Sequence, residues 1–151
     1  FDYHDKSIER ARQAVGEAGG LPNVTFEVAT AKEAPGSEYD LVCIFDALHD
    51  MGDPVGASRH VRQMLKADGT FMIVEPMAGD SLAENLNPVG RMYYSASTMI
   101  CTPGSKAQEV GLALGAQAGE MRLSQLLREA GFGSVRRAAE TPFNLVLEAR
   151  P

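Results

Sequence analysis

The chain has 151 residues, 44% hydrophobic and 23% charged, with a net charge of −6, which is the composition of a globular chain with a single core. That acidic balance works against a groove tracking nucleic-acid phosphates, which needs clustered Lys and Arg, so no direct nucleic-acid contact is expected. No apolar run approaches the ~18 residues that span a bilayer and there is no basic-then-apolar leader, so the expectation is a cytoplasmic protein without membrane contact.

In chain order, Ile8, Ala11, Val15 and Ala18 stand at helical spacing, behind a cap at Asp5 and ahead of Gly19 and Gly20, predicting an amphipathic helix over 6–18. "VTFEVAT" (24–30) gathers β-branched and aromatic residues between turn signals and reads as a strand. "DLVCIF" (40–45) is apolar at both alternating sets of positions, as a central parallel strand covered by helices must be. Asp53-Pro54 opens a second helix with Val55, Ala57, Val61, Met64 and Leu65 inward, and "TFMIVEP" (70–76) is another buried strand. Leu123, Leu126, Leu127 and Ala130 mark a helix stopped by Gly131; 134–140 and 143–149 are late strands too closely linked for a crossover, hence antiparallel. Strands alternating with helices predict a doubly wound α/β sheet.

Residues 77–118 are too long for a simple connection. Leu82, Leu86, Val89, Tyr93, Ala96 and Ile100 recur at four and three, predicting one or two helices broken near Pro88. Two readings stand: a helical cap packing this stripe on the core, or a lid (80–118) over a substrate pocket lined by Met92, Tyr93, Tyr94 and Met99, hinged at the Gly-rich 111–119. Cys43 and Cys101 have no CxxC spacing, so both are expected as small buried hydrophobes and no metal site is expected.

Ligands of open parallel sheets bind beyond the carboxyl ends of the strands. Asp46, His49 and Asp50 follow strand 40–45 at that edge, Asp2 precedes the first helix as the last residue of a strand does, and Thr30 and Ala31 end the next. An acid in the place of Asp2 can accept both hydroxyls of a ribose. His49 is the best general base on offer, and equally a hydrogen-bonded structural histidine. Asp46 and Asp53 can serve simply as helix caps, and Asp2 as a solvated acid.

"FDYHDKSIERAR", "YDLVCIFDALHDMGDP", "LKADGTFMIVEP" and "LLREAGFGSV" follow one another as in class I S-adenosylmethionine-dependent methyltransferases, and the chain resembles that family over nearly all its length. It is most similar to bacterial members with a winged-helix dimerisation domain ahead of the catalytic domain. The resemblance implies a Rossmann-like sheet, S-adenosylmethionine as cofactor, a small-molecule acceptor and a homodimer. It implies Asp2 on the ribose, Tyr3 beside the adenine, Thr30 and Ala31 where the family often carries an acid for the adenine amino group, and Phe45 and Asp46 beside the methionine part.

The family's Gly-rich loop and first strand belong ahead of Asp2 and are not in this sequence, which starts at Phe1. The expectation is therefore that 1–151 is the C-terminal part of a catalytic domain, silent alone, with an open sheet edge that other strands fill. Two other functions compete with methyl transfer. A nicotinamide-dependent short-chain oxidoreductase needs Tyr followed four positions later by Lys, which none of the four tyrosines has. A non-enzymatic ligand-sensing or dimerisation domain remains open.

Overall fold

The computed structural model describes residues 1–151, which divide into two compact units, Phe1–Gly36 and Ser37–Pro151.

In the first unit, helix α1 (Asp5–Glu17) buries Ile8. His4 rather than Asp5 is its N-cap residue, and the Asp5 carboxylate accepts from the neighbouring Lys6 N–H at 2.7 Å. Gly19 and Gly20 both take positive φ, 92° and 84°, in the turn that ends the helix. The predicted strand 24–30 is reduced to one parallel bridge between Asp2 and Val28. Asp2 N donates to Glu27 O (3.3 Å) and Ala29 N to Asp2 O (3.0 Å). A strand is a property of a pair, and beyond Asp2 this segment has no ladder partner.

The second unit is a four-stranded sheet in the order β1-β2-β4-β3. Strand β1 (Tyr39–Phe45) pairs parallel with β2 (Leu65–Pro76), with Ile44 opposite Ile73. Strand β4 (Asn144–Arg150) enters antiparallel between β2 and β3 (Ser134–Glu140). The late pair is antiparallel, as predicted, across Thr141–Phe143, where Thr141 N donates to Asn144 O at 2.8 Å.

Helix α2 (Pro54–Met64) starts as read: Asp53 accepts from Gly56 N at 2.8 Å and Pro54 takes a first-turn position where its missing N–H costs nothing. Leu65, expected in that helix, already opens β2. Helix α5 (Gly119–Glu129) supplies Leu123, Leu126 and Leu127 to a core shared with Leu48, Phe71, Ile73, Phe132, Leu145 and Leu147. Phe71 and Phe132 stack there at 5.7 Å between ring centroids.

Three expectations need correction. Strand β1 lies at the edge of the four-stranded sheet with one face uncovered: Leu41 is 53% and Phe45 62% exposed. Cys43, between them on the same face, is exposed, whereas Cys101 is buried; both thiols are free. The apolar stripe of 82–100 does not pack on the core, since Leu82, Leu86, Ala96 and Ile100 are exposed and only Val89 and Tyr93 are half-buried. The segment forms a 3₁₀ turn (Ala83–Asn85), helix α3 (Pro88–Ala96) capped by Asn87 on Gly90 N at 2.8 Å, a π turn (Ser97–Cys101) and the short α4 (Thr102–Lys106).

Its Gly-rich tail is pinned rather than free. Leu112 N donates to Gly52 O, Ala113 N to Ser105 Oγ and Ala116 N to Ser97 Oγ, at 2.9, 3.1 and 3.0 Å. Such anchoring opposes the hinge role expected of 111–119.

Candidate functional site

The carboxyl end of β1 is shaped by a backbone reversal. Asp46 takes φ of 45°, a left-handed conformation that Asp tolerates better than most side chains. Its N–H still closes on β2 at Val74 O (2.7 Å), and its carboxylate accepts from Asn144 Nδ2 at 3.1 Å. Asp46 is exposed and caps no helix, so of Asp46 and Asp53 only the latter is a cap.

The reversal turns the chain into the 3₁₀ turn Leu48–Asp50, which buries His49 to 4% exposure. Glu75, near the end of β2, is buried beneath it. His49 Nδ1 lies 2.6 Å from Glu75 Oε2, and Glu75 Oε1 accepts from Leu48 N at 2.9 Å. Both carboxylate oxygens are thus engaged, which is what makes an acid tolerable in a core. On the other side of the ring, Nε2 faces Asp50 Oδ1 at 3.3 Å. That oxygen is fully buried and makes no hydrogen bond, although the Asp50 side chain as a whole is half-exposed.

Burial alone pulls the His49 pKa down. The Glu75 hydrogen bond and the charges of Glu75, Asp50 and Asp46 together outweigh it and hold the pKa above its ordinary 6.5. Cys101 closes the same cluster: His49, Asp50 and Cys101 present one donor atom each, all within 4.8 Å of one another. Burial first, then the Asp50 carboxylate beside it, push the Cys101 thiol up to about 11.

The segment after His49 is held by α4 and by Gln108 just beyond that helix. Gln108 Nε2 donates to Asp50 O (3.0 Å), its Oε1 accepts from Gly52 N (2.9 Å), and Ser105 Oγ donates to Met51 O (2.8 Å). A Cβ on Gly52 would stand 2.5 Å from Gln108 Cβ and Glu109 O, so this glycine is what allows the clamp to close.

The four residues of the expected acceptor pocket separate. Tyr93 turns inward: its hydroxyl donates to Phe143 O at 2.8 Å, and burial, then the Asp46 charge, raise its pKa. Met92 and Met99 are exposed, Met99 to 79%, and Tyr94 borders an open groove of about 580 Å³ with Asn85, Asn87 and Arg91. Side chains at consecutive helical positions diverge by about 100°, so 92, 93 and 94 cannot all face one pocket.

The remaining predicted residues lie in the first unit. Asp2 is exposed, its Oδ1 accepting from His4 N at 2.8 Å; Tyr3 is exposed, its ring in a T-shaped contact with that of His4. Because Ala29 N bonds Asp2 O, Thr30 and Ala31 stand directly beyond the bridge; Thr30 Oγ1 donates to Glu33 at 2.8 Å, so this hydroxyl is already engaged. Phe45, Asp46 and His49 are gathered within the second unit. Sequence reasoning missed Glu75, although an acid inside a buried apolar strand is itself a signal that a partner waits for it.

An open sheet with parallel and late antiparallel strands, and its polar residues at the carboxyl edge of β1, is the class I methyltransferase fold. PigF, solved with SAH, superposes with a TM-score of 0.74 at 16% identity over 96% of this chain and 41% of its own. A putative O-methyltransferase from Nostoc punctiforme PCC 73102 gives 0.66 at 17% identity over 95% of this chain and 42% of its own. The methyltransferase-domain family model matches residues 1–131, and the chain belongs to that family. The uncharacterized methyltransferase YcgJ of Bacillus subtilis (strain 168) is 29% identical over 91 residues, which is 58% of this chain. The chain spans 36% of the length of YcgJ. No helix is long and apolar enough to cross a membrane.

Proposed function

We propose that the protein to which this chain belongs transfers a methyl group from S-adenosylmethionine to a hydroxyl of a small-molecule acceptor. The observation that carries this reading is the buried Glu75–His49 pair at the carboxyl edge of β1, in a chain of the methyltransferase-domain family. The structural neighbours include a protein solved with SAH and O-methyltransferases, which supports the same cofactor and a hydroxyl acceptor here.

Each unit offers groups that suit one part of the cofactor. Asp2 offers an exposed carboxylate for a ribose, Tyr3 an exposed ring for the adenine, and Thr30 and Ala31 stand just past the bridge that Asp2 makes. Phe45 and Asp46 border the methionine part, and the left-handed Asp46, tied to Asn144, presents its carboxylate outward. S-adenosylmethionine supplies an electrophilic methyl group.

The work of this chain is positioning, water exclusion and one proton transfer. Glu75 fixes the ring through Nδ1, and Nε2 receives the hydroxyl proton once the half-exposed Asp50 swings aside. Of the residues expected in a lid over 80–118, Tyr93 is the one that turns inward and could border an acceptor, while Met92, Tyr94 and Met99 face outward. The chain 1–151 is the C-terminal part of a catalytic domain, inactive alone, in a cytoplasmic homodimer; the open edge of β1 and its uncovered apolar face support a missing neighbour.

Calorimetric titration of the whole protein with S-adenosylmethionine tests the reading. Binding weakened by roughly 1.5–3 kcal/mol in Asp2→Ala is expected from loss of a charge-assisted contact. No binding by the wild type would defeat it. A specific observation favours a second reading, a ligand-sensing domain: both His49 nitrogens face carboxylates, which suits a structural histidine held between two acids. Release of S-adenosylhomocysteine with phenolic acceptors, lowered roughly a hundredfold or more in His49→Ala, separates the two.

A further inference from the structure

We propose that His49, Asp50 and Cys101 form a binding site for a soft divalent transition metal of the zinc type, through Nε2, a carboxylate oxygen and Sγ. The three donor atoms lie within 4.8 Å of one another, and Nε2 and Oδ1 stand 3.3 Å apart. Zinc bonds to nitrogen and oxygen are about 2.0–2.2 Å, so two ligands of a tetrahedral ion are separated by roughly 3.4 Å. The His49–Asp50 pair already has that separation. Sγ needs to approach by about an ångström, within the reach of a χ1 adjustment.

Three features beyond proximity point to a cation. Oδ1 of Asp50 is completely buried with no close hydrogen bond of its own, and the groups beside it are His49 Nε2 at 3.3 Å and the Cys101 thiol, the two other donors of the site. Glu75 holds Nδ1 at 2.6 Å and is itself held by Leu48 N, the carboxylate–histidine arrangement that fixes a ring with its other nitrogen free for a metal. Cys101 ends a π turn, a helix irregularity that is frequent at functional positions, and here it brings a buried thiol outside any disulfide to the cluster.

Thiolate with imidazole selects zinc or cobalt over magnesium or calcium. Binding expels the thiol proton and any proton on Nε2 to solvent, and three protein donors leave a fourth position for water. No local ligand spacing announces the site, because the third donor lies 52 positions beyond His49. Nε2 is also the nitrogen that the proposed methyl transfer needs. If that reading holds, metal and proton acceptance exclude each other and the metal inhibits; the binding itself does not depend on it.

Cobalt(II) titrated into the 151-residue chain is the probe. The expected result is one equivalent bound, with the near-ultraviolet sulfur-to-cobalt charge-transfer band and intense visible bands of a four-coordinate ion, all displaced by zinc. Cys101→Ser should abolish the charge-transfer band, Asp50→Asn should weaken binding by roughly tenfold or more, and Cys43→Ser should change nothing. Should Cys101→Ser not fold, as judged by circular dichroism, zinc protection of Cys101 from alkylation in the wild type, read by mass spectrometry, replaces it. No charge-transfer band, a band that survives Cys101→Ser or disappears with Cys43→Ser, or alkylation of Cys101 unaffected by zinc, each overturns the site.

Discussion

"VTFEVAT" and "TFMIVEP" have nearly the same strand character, yet one ends as a single bridge at Val28 and the other as the centre of a sheet. Residues 70–76 are paired with β1 on one side and β4 on the other, and Phe71 and Ile73 are sealed in the core. Residues 24–30 touch one ladder position, and Val28 is half-exposed. Propensity is local, but the burial that rewards it comes from neighbours.

The sharpest test of this contrast is Phe71→Ala, expected to cost about 3–5 kcal/mol by emptying the ring stack with Phe132, read by denaturant unfolding. A cost under about 1 kcal/mol would mean that β2 is not the centre of the fold. Next is Glu75→Gln, which keeps the shape but removes the charge opposite His49 and leaves one carboxylate acceptor as a donor. A loss of about 1–3 kcal/mol is expected. Asp46→Ala should lose about 1–2 kcal/mol because of the left-handed backbone, and Asp46→Gly should recover most of it.

The His49 pKa is raised on folding, so its stabilisation is complete below about pH 6.5 and is lost as pH rises through the folded value. The free energy of unfolding should therefore fall as pH rises above about 6.5, by at most about 1.4 kcal/mol per pH unit, and His49→Gln should remove this slope. Unchanged slopes would mean that the pair does not titrate as a unit. The smallest effect is expected in the poorly paired segment, where Val28→Ala should change stability by less than about 0.5 kcal/mol.

The legible features are those written in local chemistry. The Asp53 cap, the start of α3 at Pro88, the end of α5 at Gly131 and the antiparallel late strands are encoded within a few residues of where they act. The candidate site was legible only in part. Asp46 and His49 could be placed because they come after a recognisable strand. The partners of His49 come from 26 residues away in Glu75 and further still in Cys101, and no periodicity links such positions. The lid residues misled for a related reason: spacing gives a stripe, but not which side of the helix meets the core. On α3 it is Val89 and Tyr93 that turn inward, while Ala96 on the same helix and Leu86 before it stay out.

The wide turn at Ser97–Cys101 holds one residue more than a regular helix would over the same path. Forcing these five residues into ordinary α geometry without removing one leaves a residue too many for the path, and everything beyond is carried about 100° around the axis relative to α3. Cys101 would then leave His49, and Ser105 and Gln108 would lose their grip on the backbone of Met51 and Gly52. The position therefore acts as a phase marker for the segment. Homologues in which this stretch is an ordinary α-helix should be one residue shorter at this point, with the segment that clamps Met51 and Gly52 superposable.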